Sequence, residues 1–305
     1  MTKQAIFLMG PTASGKTAFA TELVRHLPAD IISVDSAMVY RGLDIGTGKP
    51  TASELIHTPH KLIDICEPSE SYSTAKFCED ATREMNTIWE KNRIPLLVGG
   101  TMLYFKALQS GLAALPAANH ELREELGLEA QRLGWPAMHA RLAKLDPLAA
   151  QRLSQNDSQR IQRALEVNLL TGKTLNESYQ KQPKKIIDYK LTSLAFMPSD
   201  RSLLHLAIQE RFHKMLELGF VDEVQNLYNR GDLNSSMPSI RAVGYRQIWS
   251  YLDKDIDFNT MCEHAIAATR QLAKRQYTWL RSWPEIINLG DYNAKTLQNT
   301  IKLIK

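Results

Sequence analysis

The chain has 305 residues, 44% of them hydrophobic, and its 37 Lys and Arg against 33 Asp and Glu leave a formal charge of +4. That apolar content supports one large domain or two smaller ones and excludes a disordered chain, while the charge excess is too small to name a nucleic-acid partner by itself. No stretch approaches the ~20 apolar residues of a membrane span, and the N-terminal apolar run is too short for a secretion signal, so a cytoplasmic, monomeric protein without a membrane partner is expected. Cys66, Cys78 and Cys262 are widely spaced; they exclude a C-x-x-C zinc site and read as small buried residues.

In chain order, the apolar run Ala5 to Met9 predicts a strand that flows into Gly10, Pro11, Thr12, Ala13, Ser14, Gly15, Lys16 and Thr17. This is the G-x-x-x-x-G-K-[ST] spacing of a phosphate-binding loop. Its glycines allow backbone N–H groups to face an anion, Lys16 reaches the outer phosphates, and the Thr17 hydroxyl is placed to ligate Mg²⁺. A helix from Lys16 to His26 would aim its positive end at the same oxygens. Further strands are predicted at Ile31 to Val34, Lys61 to Ile65 and Pro95 to Val98. Between the last two, Ala75, Cys78, Ala81, Met85, Ile88 and Trp89 recur at helical spacing. This alternation predicts an α/β core with a parallel sheet, of the P-loop-containing nucleoside triphosphate hydrolase-like kind. From 116 to 183 strand signals give way to helices at Glu121 to Leu133, Met138 to Leu145 and Ser158 to Thr171, read as an all-helical insertion domain. The core then resumes over 184–305, with strands at Leu191 to Phe196 and Ile286 to Leu289, and so comprises 1–115 and 184–305.

Strand IISV ends in Asp35, at the carboxyl edge where open parallel sheets bind ligands. A carboxylate there is either a magnesium-shell ligand or a general base. The loop after it, SAMVYRGLDIGTGKP, is too long for a minimal connection and rich in polar groups. Ser36, Met38 and Tyr40 are candidates to contact a planar ligand, and Gly46, Thr47, Gly48 and Lys49 to offer donors to an anion. The next strand ends in Gly99, Gly100 and Thr101, whose hydroxyl is either a phosphate contact or a helix cap. Late in the chain Arg270 to Arg281 carries four cations and no acid. Arg270, Lys274, Tyr277 and Arg281 are predicted to share one helical face suited to RNA, opposite Leu272, Gln276, Trp279 and Leu280. Arg152, Arg160, Arg163, Lys173, Lys181, Lys184 and Lys185 form a second basic cluster in the insertion.

Taken in order, GPTASGKT, DSAMVYRGLDIGTGKP, VGGTMLYFKAL, NDSQRIQRALEV, IRAVGYRQ and TRQLAKRQYTWLR resemble the bacterial tRNA dimethylallyltransferases across nearly the whole chain. The resemblance implies a prenyl transferase that moves a dimethylallyl group from dimethylallyl diphosphate to N6 of the adenosine just 3′ of the anticodon in tRNA, with Mg²⁺. It implies Asp35 as the base and Thr101 at the diphosphate. It further implies tRNA contacts from Asp35, Ser36, Ala37 and Met38, from Arg123, from Gln159, Arg160, Ile161, Gln162 and Arg163, and from Ile240, Arg241, Ala242, Val243, Gly244 and Tyr245. The basic helix adds Arg270, Lys274, Arg275, Tyr277 and Arg281, and Thr101 lies beside the same cleft. The anticodon stem-loop and dimethylallyl diphosphate are the expected partners. A phosphate-loop kinase shares the features of the first third, but does not account for the basic helix; a guanine-nucleotide switch is disfavoured because the chain has no N-K-x-D string.

Overall fold

A computed structural model describes residues 3–113, 115–180, 187–198 and 200–304. Lys181, Lys184 and Lys185 of the second basic cluster lie outside the described residues. The elements run β1 (Gln4–Met9), α1 (Lys16–Leu23), β2 (Ala29–Val34), α2 (Ala52–His57), β3 (His60–Lys61), α3 (Thr74–Glu90), β4 (Ile94–Gly99) and α4 (Met102–Ser110). There follow α5 (His120–Leu133), α6 (Trp135–Leu145), α7 (Pro147–Arg152), α8 (Ser158–Thr171) and α9 (Leu175–Gln180). The chain closes with β5 (Lys190–Phe196), α10 (Arg201–Glu217), α11 (Phe220–Tyr228), α12 (Tyr245–Leu252), α13 (Phe258–Arg281), β6 (Ile287–Gly290) and α14 (Ala294–Ile304). Two compact units result, one of residues 1–109 with 187–305, the other of 110–186.

The first unit holds a sheet of six strands in the order β3-β2-β4-β1-β5-β6, every pair parallel. Alternate residues of one strand enter different cores. Ala5, Phe7 and Met9 join Ile32, Val34, Leu97 and Ala195 against α3 and α4. Ile6 and Leu8 join Ile31, Leu96, Leu194 and Phe196 against α1. Burial on both faces is why these strands read as unbroken apolar runs. Lys61 to Ile65 is not a strand throughout: pairing stops after Lys61, because Leu62 (φ 63°) and Asp64 (φ 55°) adopt the left-handed region, which breaks an extended ladder. Likewise α1 ends at Leu23, and His26 lies in the turns beyond.

A third core in this unit escaped the sequence reading. Helices α10 to α13 pack Phe212, Phe220, Val224, Ile248 and Met261 around Val39, Tyr40 and Leu43 of the long loop after β2. Glu223 fixes that loop. Its carboxylate accepts the backbone N–H groups of Asp44 (3.1 Å), Ile45 (2.7 Å) and Gly46 (3.2 Å) and the Tyr245 hydroxyl (2.5 Å). The second unit is all-helical over its described residues, with Leu126, Met138, Leu142, Ile161 and Leu165 at its centre.

Cys66 is buried, Cys78 and Cys262 are half-buried, and none of the three forms a disulfide among the described residues. No helix among the described residues is long and apolar enough to cross a membrane.

Candidate active site

The sheet brings the site together by register. Met9 and Val34 both pair with Gly99, so Gly10, Asp35 and Gly100 follow side by side at the carboxyl edge. After β1 the chain curls through Ala13 (φ 62°) and Gly15 (φ 80°) before entering α1. Gly15 is there because the left-handed region costs a residue with a Cβ roughly 1–2 kcal/mol. Within the loop, Lys16 Nζ donates to the Pro11 carbonyl at 3.0 Å, and the Ser14 hydroxyl is buried with no hydrogen-bond partner among the described residues. A buried orphan hydroxyl is costly unless a ligand pairs it, and a phosphate oxygen fits that need.

A cavity of about 450 Å³ opens at this edge. Its lining includes Thr12, Lys16, Thr17, Asp35, Thr101 and Arg211. Asp35 Oδ1 accepts the N–H groups of Ala37 (2.8 Å) and Met38 (3.2 Å), which holds the carboxylate at the strand end. The Thr101 hydroxyl accepts the Ser36 N–H at 3.1 Å and lies 3.4 Å from the Ser36 hydroxyl, so it reaches across the edge instead of merely capping α4. A second cavity, of about 750 Å³, shares Lys16, Thr17 and Arg211 with the first and adds Ala13, Ser14 and Gly15.

Arg211 is a site residue that the sequence pattern does not single out. It projects from α10, donating through Nη2 to the Thr47 carbonyl (3.1 Å) and through Nη1 to the Thr12 hydroxyl (3.5 Å). A Cβ on Gly48 would stand 2.3 Å from Nη2, so the bare backbone there admits the guanidinium. The available signal was an arginine three residues after Ile208, on a helix whose buried positions are Leu204, Ile208 and Phe212. Burial, then the neighbouring Arg211, lower the Lys16 ammonium to about 8 against the pull of Asp35. Burial also lowers Arg211, with Asp35 opposing. Two desolvated cations next to each other without an ion pair among the described residues make a receptive place for an anion.

Several expected contacts fall elsewhere. Lys49 has a side chain only 3% exposed and is paired with Asp44 and Asp64 at 2.5 Å each, with Nζ also donating to the Tyr40 carbonyl, so it braces the loop and offers nothing to a ligand. On α13 the inner stripe is Ala273, Gln276, Tyr277 and Leu280, the i, i+3, i+4, i+7 positions of a buried helix face. Tyr277 is therefore not an RNA-facing aromatic: it is 8% exposed and its hydroxyl donates to the Pro198 carbonyl at 2.6 Å. Arg270 is half-buried and bonds Gln209, while Lys274 and Arg281 are exposed and do not line the cavity. Arg275 and the 39% exposed Trp279 do. Of the string from Ile240 to Tyr245, Ile240 and Tyr245 are both wholly buried in the helical core, the Tyr245 hydroxyl held by Glu223, so neither is available to RNA, whereas Arg241, Ala242, Val243 and Gly244 line the cavity, which the Tyr245 ring backs. Ser36, Ala37 and Met38 line it as well.

In the second unit Ile161 is wholly buried, which removes it from any RNA surface. Arg123 donates to both oxygens of Glu166 (2.9 and 3.0 Å), and Arg163 donates to the same carboxylate at 2.6 Å and to the Pro116 carbonyl. Gln162 donates to the Arg123 carbonyl. Burial would raise the Glu166 carboxyl, but the hydrogen bonds from Arg123, Arg163 and the Asn119 amide outweigh it and hold it below the usual range. Gln159 and Arg160 remain exposed.

For a divalent cation the donors are the Thr17 hydroxyl and the Asp35 carboxylate, whose Oδ2 accepts no hydrogen bond among the described residues. No cluster of three His, Cys, Asp or Glu side chains exists among the described residues. That donor set fits Mg²⁺, which ordinarily takes one or two protein ligands and fills its octahedron with phosphate and water.

Comparison with known proteins agrees with this geometry. A family model described as IPP transferase matches residues 38–283. A tRNA dimethylallyltransferase of Thioalkalivibrio sulfidiphilus is 57% identical over 286 residues, covering 94% of this chain and 89% of the relative. One of Thiobacillus denitrificans is 56% identical over 285 residues, covering 93% and 91%. Among solved structures, a tRNA isopentenylpyrophosphate transferase of Bacillus halodurans superposes with a TM-score of 0.72 at 35% identity, covering 100% of this chain and 96% of its own.

Proposed function

The chain belongs to the IPP transferase family, and from that premise we propose that it transfers the dimethylallyl group of dimethylallyl diphosphate to N6 of the adenosine immediately 3′ of the anticodon in tRNA, releasing diphosphate. One observation carries the reading: a single cavity is lined both by the cations Lys16 and Arg211 of an anion site and by the carboxylate of Asp35. Kinase-type phosphate loops serve phosphoryl transfer; here the same loop holds a leaving group.

In this reaction the allylic C1–O bond breaks with its electron pair leaving on the diphosphate oxygen, and a C1–N6 bond forms. Lys16, Arg211 and the loop backbone neutralise the charge that grows on the departing oxygens. A Mg²⁺ ion would be held here by the Thr17 hydroxyl alone of the two candidate donors, leaving the Asp35 carboxylate for the proton, and would supply further neutralisation of the same group. An exocyclic adenine amine is a poor nucleophile because its lone pair is delocalised into the ring. Asp35 accepts the N6 proton, and the two amides on Oδ1 keep the carboxylate oriented for it. Thr101 contacts the diphosphate and steadies the turn bearing Asp35. The adenine enters from an unpaired loop, where leaving the stack costs less than in a duplex. Arg241, Arg275 and Trp279 supply cations and a stacking ring along the cavity, and Gln159 and Arg160 are the exposed RNA candidates of the helical unit. The working form is a cytoplasmic monomer, which sedimentation of the purified protein tests.

The deciding experiment incubates the protein with dimethylallyl diphosphate and bulk tRNA without ATP, followed by digestion and nucleoside mass analysis. A dimethylallyl mass increase on adenosine is expected. ATP-dependent phosphorylation of a small metabolite, with unmodified tRNA, would overturn the reading in favour of a kinase.

A further inference from the structure

We propose that Gln276 is a positioning residue: it holds the phosphate loop and the β4–α4 turn at one separation, so that Lys16 and Thr101 address the same substrate. The inference rests on the transferase reading above. Gln276 is 7% exposed, on the inner stripe of α13 between Ala273 and Leu280. A primary amide in such a place is costly unless both ends are paired. Both are. Oε1 accepts the Thr12 N–H at 2.9 Å, and Nε2 donates to the Gly100 carbonyl at 2.9 Å.

The two partners belong to the two halves of the site. Thr12 is in the loop that ends in Lys16 and Thr17, and Gly100 immediately precedes Thr101. Strands β1 and β4 are paired up to Met9 and Gly99, and beyond that level the ladder stops. The Gln276 amide, using one N–H and its oxygen in one plane, takes the place of the missing peptide pairing and carries the connection past the end of the sheet. The backbone is shaped for it: a Cβ on Gly100 would stand 2.3 Å from Nε2 and 3.3 Å from the Gly10 carbonyl. Since the Thr12 N–H is engaged by Gln276, it is not an anion donor, and the amide fixes which groups of the loop face the diphosphate. Gln276 lines the reaction cavity, yet the hydrogen bonds it makes go to protein backbone, which is a positioning role.

Gln276→Leu removes both hydrogen bonds with little change in bulk. Binding of inorganic pyrophosphate in the presence of Mg²⁺, followed by calorimetry, is expected to weaken about tenfold, and kcat to fall by tenfold or more, because small misplacements of reacting groups cost on that order. The KM for tRNA should stay within twofold. Gly100→Ala, which crowds Nε2 from the other side, should reproduce both losses. A purely structural role predicts a lower melting temperature and a smaller active fraction, with pyrophosphate affinity and kcat per folded molecule within twofold of wild type; that result overturns the proposal. Should Gln276→Leu fail to fold, Gln276→Glu, which keeps an acceptor for Thr12 and loses the donor to Gly100, is judged by the same limits. A wild-type protein that modifies no adenosine would instead overturn the transferase reading, so the two failures are told apart.

Discussion

Lys16 and Arg211 in one unit and Arg123 and Arg163 in the other are four cations with opposite fates. Each of the first pair is desolvated, donates to backbone carbonyls or a hydroxyl, and has no carboxylate in an ion pair among the described residues. Each of the second pair is bonded to Glu166, which is 0% exposed. A buried carboxylate must be paired, and once two guanidiniums satisfy it they hold a helical core together and have little left for an outside anion. The lesson is that a basic cluster counted along a sequence measures neither binding capacity nor location. What matters is whether a carboxylate reaches the cation first.

The contrast can be broken most forcefully at the carboxylate that faces the free cations. Asp35→Asn keeps an acceptor for the Ala37 and Met38 amides while removing the base, so kcat should fall by about 10²–10⁴ with tRNA affinity unchanged; turnover within a few-fold of wild type in steady-state kinetics would remove Asp35 from the chemistry. Next comes Arg211→Ala, expected to weaken diphosphate binding and turnover together by about a hundredfold without a comparable loss of stability, since it breaks no ion pair. Smaller again is the pH effect of Lys16. Its ammonium is lowered from 10.5 to about 8 in the folded protein, so affinity for the diphosphate should decline as pH rises above 8, and Lys16→Arg should abolish that decline. The folded state binds fewer protons than the unfolded between pH 8 and 10.5. The charged Lys16 therefore costs stability below pH 8, and that cost fades as pH rises through the window. The smallest effect on activity belongs to Arg123→Ala. It should lower stability by about 1–2 kcal/mol, because Arg163 still serves Glu166, and leave kcat per folded molecule within twofold. A raised KM for tRNA with unchanged melting would restore Arg123 to the RNA surface.

Much of the site was legible because it depends on local patterns. The loop from Gly10 to Thr17 announces itself by spacing, and Asp35 and Thr101 by following apolar strands at the sheet edge. Arg211, Gln276 and Glu223 were not legible in that way. Each acts on a partner more than 160 residues away in sequence, and only the tertiary fold brings them there. Their trace in the sequence is a polar residue within an otherwise apolar helical stripe, as at Gln276 between Ala273 and Tyr277. The same stripe explains why Tyr277 and Trp279 exchange expected places: four cations nearby suggested an outward ring, but the i, i+3, i+4 rule puts Tyr277 inside. The shortness of β3 was hidden because Leu62 and Asp64 leave the extended region only in the folded context.

The order of strands also governs how the protein is made. β1, which leads into the phosphate loop, lies between β4 and β5, and its pairing with β5 runs from Gln4 with Lys190 to Met9 with Ala195. During synthesis β1 and β4 can join early, but one edge of β1 stays bare until the whole helical unit has been translated, and α13 arrives later still. Pairings this distant in sequence form slowly and leave an exposed strand edge in the meantime. The phosphate loop is thus translated well before β5, the Arg211 of α10 and the Gln276 of α13, so the cations and the amide that surround it come together only after those later elements have been made.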